Sequence, residues 1–430
     1  MIATDAAIDT FSGAKAELEF AYEHVPFFKD HLDTAGLTPA SVRGPEDFRQ
    51  VPPTRKQHYR EHFPAGVLAR GRTLKDPDVE LPRSSGRSGD RLTTARSVSA
   101  RRQRGMRTLG IHPFALARSM SRREPMFIYG PPACSDVDCA NPLQSMDDRT
   151  LPNGIFPSGI LAVPVAHDMT ITPDRMIDQA IREIREFGAT TAIIAGSHAS
   201  WLIRGYKKRD LPPPPIRFAF GTFTQLTELS RAHWRSFFGR APLVNVYNMT
   251  EFGSVAAECP AGRMHINPES YYPELIRVDG TPAGPGDLAE LYITSIGDRL
   301  CPHLRYATGD YFRLLTGCTC GSTWPAVTLE GRRIEFLSHQ DGTAITPGHL
   351  SRAIGAPDGV DLYQVVQDPR GHIRMGLLTN ESYRSSTVGD LMERLRALFG
   401  NRPTRLDTES YLPCEKSGKF LYCRSEATQS

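Results

Sequence analysis

Hydrophobic residues fall at helical spacing in the first part of the chain. Between residues 14 and 31, apolar positions such as Leu18, Ala21 and Phe28 are separated by short charged stretches. This spacing is typical of an amphipathic helix that packs one face against a core. Pro52 and Pro53 follow, and because proline lacks the backbone N–H that a helix needs, they end the predicted helical region.

The middle of the chain alternates apolar runs with amphipathic stretches. The run at residues 160–165 precedes helical spacing at 176–187, and the run at 191–195 precedes helical spacing at 200–206. Strand-like segments that alternate with helices indicate an α/β sheet covered by helices. Further strands are predicted at 218–220, 243–246 and 289–295, the last of them after a hairpin turn rich in Gly, Pro and Asp.

The last part of the chain has a pattern of its own. Strand-like runs at residues 363–367 and 373–378 are followed by helical spacing at 388–398, which suits a small α+β domain. The fold class predicted is therefore α/β, with a large N-terminal domain at 1–333 and a small, mobile C-terminal α+β domain at 334–430.

Composition excludes several classes of protein. The 430 residues are 40% hydrophobic and 23% charged, as in a globular chain, and the net charge of +3 provides no strong field for nucleic acid. No run of about 18 apolar residues is present, and the first residues lack the basic and apolar regions of a secretion signal. We therefore expect a cytoplasmic protein with no nucleic-acid partner and no membrane partner.

Three separated segments carry side chains suited to one nucleotide. Tyr247 offers an aromatic face to adenine, Thr250 a hydroxyl to phosphate, and Glu251 a carboxylate to Mg²⁺. Asp310 can accept both ribose hydroxyls, and Lys419 can stabilise charge that develops on phosphate. Most have an ordinary alternative: Thr250 and Glu251 can begin a capped helix after a strand, Asp310 can cap a turn, and Lys419 can be a solvated tail residue.

These segments resemble the adenylate-forming superfamily of acyl-CoA synthetases, peptide synthetase adenylation domains and luciferases. The matching residues are Tyr-Asn-Met-Thr-Glu at 247–251, Arg-Tyr-Ala-Thr-Gly-Asp at 305–310 and Ser-Gly-Lys at 417–419. The chain most resembles the phenylacetate-CoA ligase-like branch, also through Val-Pro-Pro-Thr-Arg-Lys at 51–56. The resemblance implies that the N-terminal domain binds ATP and substrate, that Glu251 is catalytic and holds magnesium, and that Lys419 is the catalytic adenylation lysine.

A loop of small residues lies where this family has its phosphate loop. It consists of Ser84, Ser85, Gly86, Arg87, Ser88 and Gly89. Small residues let the backbone approach phosphate, hydroxyls can donate to it, and the Arg87 guanidinium can hold it bidentately. Arg87 and the following Asp90 depart from the family pattern, so an ordinary surface loop is the alternative. Arg332, at the junction with the C-terminal domain by the same resemblance, is expected to reach ribose or phosphate.

Four dispersed residues form a candidate zinc site. Cys259 and His265 flank a turn, and Cys318 and Cys320 lie on a second, glycine-rich turn. Three thiolates and one imidazole satisfy tetrahedral Zn²⁺, and four protein ligands leave no open position for catalysis. Some phenylacetate-CoA ligase-like proteins carry such a site at matching positions, which favours a structural metal. Free thiols beside an unrelated histidine are the alternative.

The resemblance implies a two-step reaction. A carboxylate attacks the α-phosphorus of MgATP to give an acyl adenylate and pyrophosphate, and a thiol then displaces AMP. CoA is the thiol that the family implies, and an aryl or arylacetic acid is the expected substrate. Because Ile334 occupies the family's acidic hinge position, a carrier protein or an amine is the next candidate acceptor. An amide synthetase, an oxyanion-activating ligase and a degenerate member that binds nucleotide without turnover stay open as alternatives.

Overall fold

The computed structural model describes residues 10–84, 91–121, 124–132, 154–156 and 158–426. The helices are α1 (Thr10–His24), α2 (Pro26–Thr34), α3 (Pro45–Phe48), α4 (Lys56–His62), α5 (Val98–Leu109), α6 (Pro113–Met120), α7 (Asp174–Glu186), α8 (Gly196–Lys208), α9 (Glu228–Phe238), α10 (Pro347–Ile354) and α11 (Ser385–Phe399). Short 3₁₀ helices lie at Pro39–Ser41, Met169–Ile171 and Arg333–Glu335. Within the described ranges, no helix has the length and apolar character needed to cross a membrane.

The strands up to residue 266 are β1 (Val79–Glu80), β2 (Arg96–Ser97), β3 (Met126–Tyr129), β4 (Leu161–Ala162), β5 (Thr191–Ile194), β6 (Phe218–Gly221), β7 (Leu243–Met249), β8 (Gly253–Glu258) and β9 (Met264–Ile266). Those that follow are β10 (Tyr271–Ile276), β11 (Leu288–Ser295), β12 (Tyr306–Leu314), β13 (Ala326–Arg332), β14 (Leu337–Ser338), β15 (Ala344–Ile345), β16 (Val360–Gln367), β17 (Ile373–Thr379), β18 (Thr404–Thr408) and β19 (Cys423–Ser425).

The N-terminal helical region is broken at Val25. This residue has an extended backbone, with φ −118° and ψ 113°, between the end of α1 and the start of α2. Pro26 is the first residue of α2, where its missing N–H costs no hydrogen bond, and a proline disfavours helical geometry in the residue before it. The predicted helix at 14–31 is therefore confirmed as helical, but it forms two helices.

The chain divides into two compact units, each made from two separate stretches. The first unit contains Met1–Ser119 and Val246–Thr328, and the second contains Met120–Asn245 and Leu329–Ser430. The residues after 328 thus belong to the same unit as the parallel strands that precede β7. The domain boundary predicted between residues 333 and 334 stays a prediction.

The first unit is built on an antiparallel sheet. β10, β11, β12, β13, β9 and β8 lie side by side in that order, and the end of β7 follows. The predicted strand at 289–295 is confirmed as β11, which forms a hairpin with β10. α1 is joined to this sheet by Glu17, whose side-chain oxygens accept hydrogen bonds from Ser295 Oγ at 2.6 Å and Gly297 N at 2.8 Å.

The second unit contains a parallel sheet. β4, β3, β5, β6 and the start of β7 are neighbours in that order. Side chains of its strands and of helices α7, α8 and α9 form one buried core, which includes Phe127, Ile184, Ala192, Tyr206 and Trp234. The predicted alternation of strands and helices is confirmed. β4 is shorter than the predicted strand at 160–165, which contains Pro164, a residue without a ladder donor.

A second sheet of this unit forms the C-terminal part of the chain. β18, β17, β16 and β19 are neighbours, with β16 and β17 antiparallel and both outer pairs parallel. α10 and α11 contribute Leu350, Leu391 and Leu395 to a buried core that also contains Tyr363 and Phe420. The predicted strands at 363–367 and 373–378 and the predicted helix at 388–398 are confirmed.

Candidate active site

Tyr247 and Asp310 meet in the first unit. Tyr247 lies near the end of β7 and Asp310 lies on β12, and the Tyr247 hydroxyl donates a hydrogen bond to Asp310 Oδ2 at 2.7 Å. Both side chains are buried. The aromatic ring predicted to contact adenine and the carboxylate predicted to contact ribose are therefore neighbours, although they are far apart in sequence.

An irregularity in β12 positions Asp310. Tyr311 pairs with Glu290 and Ala307 pairs with Tyr292, so a step of four residues on β12 faces a step of two on β11. Gly309 lies inside this bulge with φ 75°, and its N–H donates to Glu290 Oε1 at 3.0 Å. A side chain would strain this backbone conformation, and bulges redirect the residues beside them. The Thr-Gly-Asp sequence therefore sets the direction of the carboxylate.

Glu251 lies in the tight turn between β7 and β8 and is 3% exposed. Its Oε1 accepts a hydrogen bond from the Tyr306 hydroxyl at 2.7 Å and lies 3.7 Å from Lys56 Nζ. Burial by itself would raise the pKa of Glu251, but Lys56 and the Tyr306 hydroxyl outweigh it and hold the pKa below its usual value. The buried carboxylate is thus an anion near neutral pH, as a magnesium ligand must be.

The turn that carries Thr250 and Glu251 joins two antiparallel strands. The alternative in which these residues begin a capped helix is therefore not found. Arg96 Nη1 donates to the Thr250 carbonyl at 3.0 Å, and Arg96 is also paired with Glu80. A guanidinium held by a carboxylate is a rigid donor, so Arg96 fixes the backbone of this turn.

Arg305, next to Tyr306, has a strained backbone. Its φ of 42° is in the left-handed region, which a long side chain rarely adopts. The side chain compensates, because Nε donates to Glu274 Oε2 at 2.9 Å and Nη1 donates to the Val51 carbonyl at 2.7 Å. Such strain is concentrated at functional sites, and the residue after Arg305 is Tyr306, whose hydroxyl contacts Glu251.

Lys419 lies in the second unit, on an ordered turn. Glu415 N donates to the Lys419 carbonyl at 2.9 Å and Gly418 N donates to the Glu415 carbonyl at 2.8 Å. The next residue, Phe420, is buried in the C-terminal core. Lys419 is partly buried, so the alternative of a fully solvated tail residue does not describe its surroundings.

Arg332 is the last residue of β13, also in the second unit. Its backbone N–H donates to Glu335 Oε2 at 3.4 Å, which caps the short helix Arg333–Glu335. The preceding Gly331 has φ 106°, and a Cβ there would lie 2.6 Å from Pro347 Cγ. This junction therefore requires glycine before the arginine. The predicted contact of Arg332 with nucleotide stays a prediction.

Most of the predicted phosphate loop, Ser85 to Gly89, lies outside the described residues. Ser84 is described and buried, and its Oγ accepts a hydrogen bond from Leu92 N at 2.8 Å. The backbone N–H of Ser84 donates to the Leu92 carbonyl, also at 2.8 Å. These two bonds join the residues on either side of the loop. The phosphate contacts predicted for Ser84, Ser85, Gly86, Arg87, Ser88 and Gly89 stay predictions.

The four predicted zinc ligands form one cluster in the first unit. Potential ligand atoms of Cys259, His265, Cys318 and Cys320 all lie within 4.8 Å of one another. Cys259 Sγ is 3.6 Å from Cys318 Sγ, and His265 Nε2 is 3.5 Å from Cys320 Sγ. The other ring nitrogen of His265 lies 3.0 Å from the Trp324 carbonyl, the contact that orients histidine ligands in metal sites. The donor set therefore fits tetrahedral zinc.

Sequence reasoning missed three residues that shape the site. Lys56 and Tyr306 contact Glu251, and Arg96 contacts the Thr250 backbone, and the sequence patterns predicted none of these contacts. Lys56 follows Thr54, which pairs with Tyr306 as an isolated parallel bridge. The 51–56 motif was visible in the sequence, but its contact with the turn after β7 depends on pairing between distant segments.

Known proteins of similar sequence or structure match this chain over most of its length. A scan of protein-family descriptions finds no match. A phenylacetate-coenzyme A ligase of Thermus thermophilus is 27% identical over 365 residues, which are 82% of this chain and 76% of the relative. A phenylacetate-coenzyme A ligase of Escherichia coli is 24% identical over 417 residues, 90% of this chain and 87% of the relative. A solved 2-hydroxyisobutyryl-CoA ligase, in the postadenylation state with an acyl-AMP, aligns with TM-score 0.73 and 15% identity over 98% of this chain and 89% of its own.

The chain therefore has the α/β fold of the adenylate-forming acyl-CoA ligases. Its sequence relatives are phenylacetate-CoA ligases, each matched over most of its length. The resemblance to the phenylacetate-CoA ligase-like branch is thus confirmed by comparisons that do not depend on the short motifs.

Proposed function

We propose that this protein is an AMP-forming ligase that activates a carboxylic acid with ATP and transfers the acyl group to CoA. The observation that carries the proposal is the buried group around Glu251 and Asp310, in which each carboxylate is held by a tyrosine hydroxyl at 2.7 Å. Glu251, proposed to bind magnesium, and Asp310, proposed to bind ribose, both belong to the antiparallel sheet or its turns, an arrangement that suits a nucleotide. The phenylacetate-CoA ligase relatives support an aryl or arylacetic acid as the substrate.

In the first step, an oxygen of the substrate carboxylate attacks the α-phosphorus of ATP, and the bond to pyrophosphate breaks. Thr250 would contact the α-phosphate, Glu251 would hold Mg²⁺, and Asp310 would accept the ribose hydroxyls. The magnesium ion would offset phosphate charge when bound. Lys419 would donate to the carboxylate and α-phosphate as charge develops between them, so its contribution would be largest in the transition state.

In the second step, the CoA sulfur attacks the acyl carbon of the adenylate. The thiol proton passes to solvent, and AMP leaves with the electrons of the broken carbon–oxygen bond. CoA is favoured over an amine or a carrier protein because the matched relatives and the solved neighbour are CoA ligases. ATP, CoA and a small carboxylic acid are accordingly the proposed partners, and a cytoplasmic location stays a prediction.

The cysteine and histidine cluster would hold a structural zinc ion. Cys259 directly follows β8 and His265 lies in β9, whereas Cys318 and Cys320 lie on the turn before β13. A metal bound by all four would join these two turns, and a complete protein shell would leave no position for a catalytic water. Its contribution would be to stability, because binding is linked to folding.

Carboxylate-dependent exchange of labelled pyrophosphate into ATP tests the proposed activity. We expect exchange with at least one acid from a panel of benzoates, arylacetates and short aliphatic acids, and none when the acid is left out. A protein that binds ATP but gives no exchange with any panel member would instead support the degenerate nucleotide-binding alternative.

A further inference from the structure

The segment that carries the proposed catalytic lysine is hydrogen-bonded to residues 168–170 of the second unit. We call residues 411–419 the lysine loop. Tyr411 OH donates to Asp168 Oδ2 at 2.6 Å, and Cys414 N donates to the same oxygen at 3.1 Å. In the opposite direction, Thr170 Oγ1 donates to the Leu412 carbonyl at 2.7 Å. Three hydrogen bonds thus join the lysine loop to residues 168–170.

The tip of the lysine loop, at Gly418, packs against Pro132 and His167. Gly418 has φ 77°, and a Cβ there would lie 2.9 Å from Pro132 Cδ and 3.0 Å from the His167 carbonyl oxygen. Only a glycine allows so close an approach without displacing backbone. Because Lys419 is the next residue, the contact at Gly418 and the hydrogen bonds at residues 411–414 together set the position of the lysine.

The two oxygens of Asp168 have separate partners. Oδ1 accepts from Thr170 N at 3.4 Å, at the start of the short helix Met169–Ile171. Oδ2 accepts from Tyr411 and Cys414 of the lysine loop. One oxygen therefore supports the local turn, and the other holds a segment more than two hundred residues away.

We propose that Asp168 and Tyr411 form a latch that positions Lys419 for adenylate formation. They are positioning residues, because they act through the lysine loop rather than on substrate. The inference rests on the proposed function, in which Lys419 serves the first step and has no role once pyrophosphate has left. The latch favours the position of the loop that the first step needs.

Water can reach the hydrogen bond between Tyr411 and Asp168. Hydrogen bonds to a charged acceptor are stronger than neutral ones, but exposure to water weakens them. Tyr411 is 42% exposed, so water can replace its bond to Asp168. The contact therefore biases the position of the loop without locking it.

Two variants separate the latch from the local turn. Tyr411→Phe removes only the hydroxyl. Asp168→Asn is isosteric, keeps an oxygen that can accept from the Thr170 N–H, and turns amide hydrogens toward the Cys414 N–H. Tyr383→Phe is the matched control, because Tyr383 lies in the same unit and its hydroxyl has no hydrogen-bond partner among the described residues.

The test measures the two half-reactions separately. Acid-dependent ATP–pyrophosphate exchange reports the first, and thioester formation from a supplied acyl adenylate and CoA reports the second. We expect Tyr411→Phe and Asp168→Asn to lower the maximal exchange rate about 10-fold, the effect of losing one hydrogen bond to a charged group. The KM for ATP, thioester formation and the melting temperature should stay unchanged, as should both half-reactions of Tyr383→Phe.

Each outcome decides between specific alternatives. An equal loss in both half-reactions would overturn the proposal, since Asp168 and Tyr411 would then support the fold rather than the lysine position. Exchange that is unchanged in both latch variants would also overturn it. If the unmodified protein shows no acid-dependent exchange, the proposed function fails and this inference fails with it, a result distinct from failure of the variants alone.

Discussion

Glu251 is the residue on which the proposed nucleotide site most depends. Replacing it with Gln removes the negative charge that would hold magnesium, while the amide oxygen can still accept the Tyr306 hydrogen bond at the same position. We therefore expect Glu251→Gln to lower ATP–pyrophosphate exchange by about 10² or more, the scale of losing one charge-stabilising group. The melting temperature should change little, and calorimetry beside the exchange assay checks both results.

The control for this substitution is Glu23→Gln, the same chemical change at a carboxylate that is 76% exposed in the same unit. Its exchange rate should equal that of the unmodified protein. Normal exchange in Glu251→Gln would remove Glu251 from the proposed site, and a large fall in melting temperature would make its role structural.

Glu17 gives the first unit a pH-dependent stability. Burial, and then the nearby Asp298 carboxylate, raise the pKa of Glu17 to about 8 from an ordinary value of 4.5. A carboxyl group that binds its proton more tightly when folded stabilises the fold below its unfolded pKa, and this contribution is lost as pH rises through the folded pKa. We expect the free energy of unfolding to fall between pH 4.5 and 8.

Urea unfolding of the unmodified protein and of Glu17→Gln, at several values between pH 5 and pH 9, checks this expectation. Glutamine does not titrate, so the variant should show a shallower pH dependence over the same range. Parallel curves for the two proteins would show that Glu17 is not the group responsible.

At the scale of elements, the cysteine and histidine cluster joins two turns of the antiparallel sheet. Cys318→Ala removes one of four proposed ligands, so we expect loss of about one zinc per chain together with a lower melting temperature. Cys301→Ala is the matched control, because this buried thiol lies outside the cluster. Elemental analysis measures the zinc, and native protein without zinc would refute the metal site.

Gly418 tests whether the shape of the lysine loop matters. Gly418→Ala places a Cβ on a backbone with positive φ and against Pro132 and His167, so we expect exchange to fall about 10-fold or more. Gly389→Ala is the control, since that glycine lies exposed in α11 with nothing within 4 Å of an added Cβ. It should keep full exchange and gain about 0.5–1 kcal/mol of stability. Equal exchange in the two variants would contradict a role for the loop.

The elements predicted from sequence were those with strong local patterns. The runs at 191–195 and 363–367 are β5 and β16, because period and composition alone indicate a buried strand. Contacts between distant segments were not predictable in this way. The approach of Asp310 to Tyr247 depends on the bulge at Gly309, and the bond between Asp168 and Tyr411 joins residues with no local signal. The motifs indicate which residues could bind a nucleotide, but only the fold shows which of them are in contact.

At the scale of the whole molecule, the proposed site residues are divided between the two units. Tyr247, Thr250, Glu251 and Asp310 belong to the first unit, whereas Arg332 and Lys419 belong to the second. The proposed residues are spread from residue 247 to residue 419 because no single stretch of chain supplies the whole set.

Product analysis of one complete reaction tests the central claim most directly. The protein is incubated with ATP, Mg²⁺, CoA and an acid that supports exchange. The nucleotides and thioesters are then separated and quantified by mass spectrometry. We predict AMP, pyrophosphate and acyl-CoA in equal amounts, all dependent on the acid. Formation of ADP and phosphate, or acid-dependent AMP without any acyl-CoA, would contradict the assignment of an AMP-forming acid–CoA ligase.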